Sequence, residues 1–170
     1  MIGEVTLSSG RKAAYYVDAR RALLMPAAFR ALGELVAAEA VRAGAVAVGG
    51  PTLGADPIAC SVLAAPGASD LKAFFVRKER KEHGLQRWIE GPAIEPGERA
   101  LVVEDVVTSG GSLITAIERL REEGVELVGA LAVLDRLAGG REAIERALGE
   151  RLPYSSLFTI DDVYPERPDR

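Results

Sequence analysis

Short apolar runs and amphipathic stretches alternate along most of this chain, and their periods differ. Residues 101–103, Leu-Val-Val, form a continuous apolar run of the kind that buried strands carry, and residues 45–48, 72–76 and 126–134 read the same way. Segments with helical spacing lie between them. Pro26 opens the first at a position where its missing N–H costs nothing. Phe29, Leu32, Leu35 and Val36 give that helix an apolar face, and Gly44 closes it. A second helix fits residues 57–63. Leu113, Ile117 and Leu120, at i, i+4 and i+7, mark a third that Gly124 ends. A fourth starts at Gly139-Gly140, with Ile144, Ala147 and Leu148 inward and a Glu142–Arg146 pair outward. Further strands fit residues 4–7, 13–19 and 154–160, with a turn at Ser8-Ser9-Gly10. The polar, Pro-rich residues 161–170 read as a short turn and a frayed end. Alternation of strand and helix from Ala45 onward predicts an α/β fold, a mainly parallel central sheet flanked by helices.

Composition narrows the class. At 170 residues the chain fits a single domain, 1–170, with enough length to bury a core. A formal net charge of −4 argues against a general nucleic-acid binder. One cysteine, Cys60, excludes an intrachain disulfide and suits a reducing compartment. No apolar run is long enough to span a bilayer and the N-terminus lacks a signal-peptide layout, so a soluble, cytoplasmic protein without membrane contact is expected.

The candidate chemistry centres on residues 101–112. After Leu101-Val102-Val103 come two carboxylates, Glu104 and Asp105, at the strand's carboxyl end, then Val106, Val107 and the loop Thr108-Ser109-Gly110-Gly111-Ser112 leading into a helix. Ligands of open α/β sheets sit beyond the carboxyl ends of the strands. A loop of glycines and hydroxyls entering a helix converges backbone N–H groups on an anion, and the helix N-terminus adds partial positive charge. Two acids beside a phosphate cradle would repel the phosphate but accept hydrogen bonds from hydroxyls of an attached sugar. The residues therefore point to a ribose 5-phosphate site.

Two other loops carry candidate residues. Gly49-Gly50-Pro51-Thr52-Leu53-Gly54-Ala55-Asp56 is a second glycine-rich turn between strand and helix. Residues 77–86, continuing to Gly91-Pro92, are charged and show no apolar periodicity, which makes them a long exposed loop. Loops of that length in compact domains are usually functional or disordered. They include Arg77, Lys78, Lys81 and His83, the chain's single histidine.

The strand, acidic pair and Thr/Ser/Gly loop resemble the phosphoribosyl-diphosphate (PRPP) signature of type I phosphoribosyltransferases. Arg77-Lys78, Lys81 and His83-Gly84 are similar to the catalytic loop of the orotate phosphoribosyltransferases. Ser8-Ser9-Gly10-Arg11-Lys12 with Tyr15-Tyr16-Val17-Asp18 resembles the start of that family, and the resemblance covers nearly the whole chain. It implies a type I phosphoribosyltransferase fold with a small N-terminal hood of strands, built from residues 1–22 and the C-terminal segment, and a flexible catalytic loop at 78–91. The implied reaction is orotate plus PRPP giving orotidine 5′-monophosphate and diphosphate in pyrimidine biosynthesis, with Mg²⁺ carried on the diphosphate and no metal-ligand set from the protein. Thr108 to Ser112 would hold the 5-phosphate, with Val106 and Val107 beside it, and Glu104 and Asp105 the ribose hydroxyls. Arg77, Lys78, Lys81 and His83 would face the departing diphosphate, with Lys81, His83 and Asp105 as the catalytic set. Lys12, Tyr16, Thr108 and Arg136 would contact orotate. A homodimer is implied, the 78–91 loop of one subunit reaching the neighbouring site.

The chain departs from the family pattern at Leu53, where many relatives carry a lysine, and it starts almost at its first strand, where the family usually has a helix. The rival readings are a type I enzyme acting on a purine base and a non-catalytic PRPP-sensing regulator.

Overall fold

The computed structural model describes residues 2–6, 12–79 and 88–168. In chain order the strands are β1 (Ile2–Thr6), β2 (Lys12–Tyr15), β3 (Ala47–Pro51), β4 (Lys72–Val76), β5 (Ile89–Glu90), β6 (Arg99–Val107), β7 (Glu126–Asp135) and β8 (Tyr154–Thr159). The helices are α1 (Arg20–Leu23), α2 (Pro26–Ala43), α3 (Asp56–Val62), α4 (Gly111–Glu122), α5 (Gly140–Leu148) and α6 (Ile160–Val163). Among the described residues, one six-stranded sheet runs β5-β4-β3-β6-β7-β8. All its pairings are parallel except that of β5, which lies antiparallel on the edge of β4. β1 and β2 form a separate antiparallel pair. This is the α/β architecture that the alternating pattern predicts.

Period-two alternation in the central strands builds a core on each face of the sheet. Leu101 and Val103 of β6 join Leu131 and Val133 of β7 under α2 and α3, where Leu32, Val36, Ile58 and Val62 are buried. Their neighbours Ala100, Val102, Ala130 and Ala132 face the other way, against Leu113, Ile117 and Leu120 of α4 and Ile144 of α5. A smaller cluster joins Tyr15, Leu134 and Ile160, with Val17, Val106 and Tyr164 packed on it. Through it the end of β2 and the C-terminal segment meet beside the carboxyl ends of β6 and β7.

Several boundaries differ from the sequence expectation for identifiable reasons. β3 runs through Gly49 and Gly50, which the sequence suggests are turn residues. Both glycines serve close packing: a Cβ on Gly49 would lie 2.0 Å from the Phe74 carbonyl oxygen, and one on Gly50 would lie 1.9 Å from that of Val103. β6 runs to Val107, so Glu104 and Asp105 lie within its carboxyl-terminal part, as the sequence suggests, and Val106 and Val107 complete the strand. The strand expected over residues 13–19 stops at Tyr15, and α1 follows, stabilised by local bonds from Ala22 and Leu23 N–H to the Ala19 carbonyl. Leu35, expected inward, is 55% exposed on α2. On α5 the close i,i+4 ion pair is Arg141–Glu145 at 3.6 Å, one residue before the expected Glu142–Arg146. The last strand ends at Thr159 because Thr159 and Asp162 form a capping box that opens α6. The tail is thus not simply frayed; Tyr164 packs edge-on against Tyr15, centroids 5.4 Å apart.

Candidate active site

Four strand ends converge at the carboxyl edge of the sheet: Pro51 of β3, Val76 of β4, Val107 of β6 and Asp135 of β7. Each delivers part of the site. Beyond β6, Gly110 adopts φ 80° as the N-cap of α4, a conformation natural to glycine. A side chain there would also meet Ile144, with a Cβ only 2.9 Å from its Cγ1. The turn so formed bounds a cavity of about 150 Å³, lined by Glu104 and the continuous run from Val106 to Leu113. Residues 106–112 of the expected phosphate cradle therefore share one small cavity at the start of α4, where anion binding is favoured.

A second cavity, about 230 Å³, adjoins the first and shares Glu104, Val106 and Ser112 with it. Its other walls are Asp105, the Pro51–Gly54 turn, Tyr16, Arg20 and Lys78. The turn lies close over the acidic pair: a Cβ on Gly54 would stand 2.3 Å from Asp105 Oδ1 and 2.8 Å from Glu104 Oε1. The Thr52–Leu53 peptide within it is cis. Asp105 is held by the Val106 N–H, which donates to Oδ1 at 2.8 Å. Glu104 is 6% exposed, and burial, reinforced by the adjacent Asp105 charge, pushes its carboxyl up to about 9. Lys78 pulls in the opposite direction, more weakly. One carboxyl of the pair is thus kept neutral near pH 7 and can donate as well as accept a hydrogen bond.

The cationic residues occupy two places. Lys78 lines both the second cavity and a third of about 360 Å³, which it shares with Arg77, Ser112, Thr115 and Arg119. Arg77 also pairs with Glu90 of β5 at 3.1 Å. Lys81 and His83 lie outside the described residues, as does most of the expected 78–91 loop, whose far end returns as β5. Of Lys12 the backbone is placed, at the start of β2. Arg136 stands at the end of β7, with its N–H bonded to the Val107 carbonyl at 2.9 Å. Its guanidinium carbon lies 4.7 Å from the centre of the Tyr15 ring. It is outside the lining of the two cavities around Glu104, on the side where the small N-terminal sheet meets the C-terminal segment.

The fold agrees with that of known proteins. Residues 33–148 match the family model described as the phosphoribosyl transferase domain. The orotate phosphoribosyltransferase of Corynebacterium glutamicum strain R is 50% identical over 161 residues, 95% of this chain and 85% of that protein. The chain belongs to the orotate phosphoribosyltransferase family. Among solved structures, Mycobacterium tuberculosis H37Rv orotate phosphoribosyltransferase with Fe(III) dicitrate superposes with a TM-score of 0.82, at 46% identity, covering 96% of this chain and 90% of that one. The same enzyme in complex with PRPP gives 0.78 at 42% identity, covering 95% and 90%.

Within this orotate phosphoribosyltransferase framework, four residues near the site carry no role in the sequence reading. Arg20 reaches the second cavity, paired with Asp18 at 3.0 Å. Reading residues 13–19 as continuous strand hid the turn that aims it inward. Tyr15, rather than its neighbour Tyr16, stacks under Arg136, while Tyr16 lines the cavity with the acids. Asp135, fully buried, accepts from the Leu137 N–H at 2.8 Å and shapes the turn that presents Arg136. Arg119 is an outer helix position in sequence. Of the four, only Asp135 carries a signal in residue order, an acid directly after an apolar strand run and beside Arg136.

Proposed function

We propose that this chain transfers the 5-phosphoribosyl group of PRPP to orotate, forming orotidine 5′-monophosphate and diphosphate. The observation that carries the reading is the junction of the two cavities at Glu104. The cavity bounded by Val106 to Leu113 at the start of α4 shares Glu104 with the cavity of the acidic pair, and the Thr52–Gly54 turn lies close over that pair. The cradle of Thr108 to Ser112, with Val106 and Val107 at its base, holds the 5-phosphate. Glu104 and Asp105 hold the ribose hydroxyls, and the Asp105 charge balances positive charge that develops on the sugar. Arg77, Lys78, Lys81 and His83 face the diphosphate. Arg136, fixed over Tyr15, grips the orotate carboxylate with its planar fork, assisted by Lys12, Tyr16 and Thr108.

In the reaction a ring nitrogen of orotate forms a bond to C1 of the ribose while the C1–oxygen bond to diphosphate breaks, the electron pair leaving with diphosphate. The nitrogen needs no strong base, because ring delocalisation already makes its proton acidic, and that proton passes to solvent or to an oxygen of the departing diphosphate. Catalysis then consists of positioning and of cations placed where the leaving group gathers charge.

Mg²⁺ fits this arrangement as a passenger on substrate oxygens. Mg²⁺ is commonly held by one or two carboxylates plus substrate phosphates. Asp105, and Glu104 once ionised, are the protein groups that would hold it, and it would neutralise phosphate charge. The proposal extends to a homodimer located in the cytoplasm, in which residues 78–91 of one subunit reach the neighbouring site. Exposed Leu24, Met25, Leu35 and Phe158 supply apolar surface for such pairing. Among the described residues no helix is long and apolar enough to cross a membrane.

The deciding experiment follows loss of orotate absorbance with purified protein, PRPP and Mg²⁺, beside parallel reactions with purine bases and uracil. Turnover with orotate alone is expected. Turnover only with a purine base would overturn the role of Arg136, and PRPP binding without turnover of any base would bring the regulator reading forward.

A further inference from the structure

Arg119 sits seven residues beyond Ser112 on α4, where an amphipathic pattern assigns it only a solvated charge. In the folded chain its guanidinium leaves the helix and meets the end of β4. Nη1 donates to the Arg77 carbonyl, and Nη2 donates to the Lys78 carbonyl at 2.8 Å. The guanidinium carbon also lies 3.8 Å from the centre of the Trp88 ring. Arg77 and Trp88 are themselves joined, Arg77 N–H to Trp88 carbonyl at 2.9 Å, and the Arg77 side chain pairs with Glu90. One side chain of α4 therefore holds the exit of β4 and the entry of β5 together.

The consequence falls on Lys78. The residue lines the cavity of the acidic pair and its charge acts on Glu104, yet it is exposed and its four-carbon stem is flexible. What restricts it is its backbone, and both carbonyls around that backbone bond to Arg119. The same helix begins at the phosphate cradle, about 12 Å away along its axis at the rise of an α-helix. A single rigid element thus sets the spacing between the 5-phosphate cradle and the lysine.

We propose that Arg119 is a positioning residue for PRPP: by fixing the Arg77 and Lys78 carbonyls and stacking on Trp88, it places the Lys78 ammonium against the diphosphate. The inference rests on the reading of Lys78 as a diphosphate contact. On this reading the effect of Arg119 passes through Lys78 and appears in the KM for PRPP.

The test is a double-mutant cycle in the full-length protein with Arg119→Ala, Arg119→Lys, Lys78→Ala and the corresponding doubles, measuring kcat and the KM of each substrate. Trp88, the single tryptophan, reports the stack by its fluorescence. Arg119→Ala is expected to raise the KM for PRPP about tenfold and leave that for orotate within about twofold, and to add less than about twofold in the Lys78→Ala background. Emission should shift to the red in both Arg119 variants, and Arg119→Lys should fall between wild type and alanine, since one ammonium cannot replace a fork that also stacks. If Arg119→Ala fails to fold, Arg119→Lys completes the cycle. An Arg119 effect that persists in full without Lys78, or that raises both KM values alike, overturns the positioning role. If Lys78→Ala alone leaves the KM for PRPP unchanged, the reading of Lys78 falls first and the inference with it.

Discussion

The Tyr154 hydroxyl donates a 3.0 Å hydrogen bond to the Asp135 carboxylate, which has no exposed surface. The two residues begin β8 and end β7, and the bond anchors the turn that carries Arg136. Asp135 also accepts from the Leu137 N–H, where the backbone takes φ 54°, and Arg141 approaches it to 3.7 Å. Burial and the Asp135 charge both raise the pKa of the Tyr154 phenol, so it remains a donor. Removing that donor should cost stability and loosen the turn. Tyr154→Phe is expected to lower unfolding stability by about 1–3 kcal/mol, the usual penalty for a buried acceptor losing a partner. Denaturant titration measures the loss. Steady-state kinetics should show a higher KM for orotate with that for PRPP nearly unchanged.

Arg136 itself makes a sharper prediction. Its planar fork is preset over Tyr15, and a lysine at this position would lose both the stack and the second donor. Arg136→Lys should reduce kcat/KM for orotate by about 10–100-fold, as expected for one charge-assisted hydrogen bond. PRPP affinity, measured by calorimetry in the absence of orotate, should stay near that of the wild type. An equal loss of affinity for both substrates would place Arg136 in the sugar site instead.

Glu104 gives the protein a pH dependence with a definite sign. In the unfolded chain its carboxyl titrates near the ordinary 4.5, whereas in the fold it holds its proton to about 9. The folded state therefore binds the extra proton between those values, and stability falls as pH rises through that window, levelling off above it. Below 4.5 both states are protonated and the residue contributes no slope. Glu104→Gln, an uncharged mimic of the protonated acid, should remove this component. Thermal unfolding of both proteins from about pH 6 to pH 9.5 is the check, with the wild type losing more of its melting temperature than the variant. Parallel curves would show that Glu104 is already ionised in the folded protein.

These sites differ in how much of them could be read from residue order. The strand, loop and helix that bound the first cavity were legible because they are contiguous: an apolar strand, two acids, a hydroxyl and glycine loop, and a helix all occur within residues 101–120. The sheet was legible for the same local reason, with β4 recovered at both ends. What escaped depends on contacts between distant segments. Gly49 and Gly50 read as turn residues until the Phe74 and Val103 carbonyls are seen against them. Arg20, Tyr15 and Arg119 are ordinary positions until the fold brings them to Asp105, Arg136 and Trp88. The tail read as frayed because nothing in its composition announces that Tyr164 will meet Tyr15.

Gly54 concentrates the last prediction. Its backbone lies so near the acidic pair that a methyl group would stand 2.3 Å from Asp105 Oδ1 and 2.7 Å from its Cγ. No positive φ is involved, so the constraint is space rather than backbone conformation. Gly54→Ala must therefore move either the Thr52–Gly54 turn or the Asp105 carboxylate, and the latter is tied to the Val106 N–H. Forced repacking of this kind costs about 1–3 kcal/mol, small enough for the fold to survive. If the site works by positioning, as proposed, the catalytic consequence should be larger, because displacement of about 1 Å can then cost about 100-fold in rate. We expect Gly54→Ala to fold, by circular dichroism and a thermal transition within several degrees of the wild type, and to lose most of its orotate turnover. Near-normal turnover would show that the turn can retreat from Asp105 freely, and that its closeness to the acidic pair is packing without a part in catalysis.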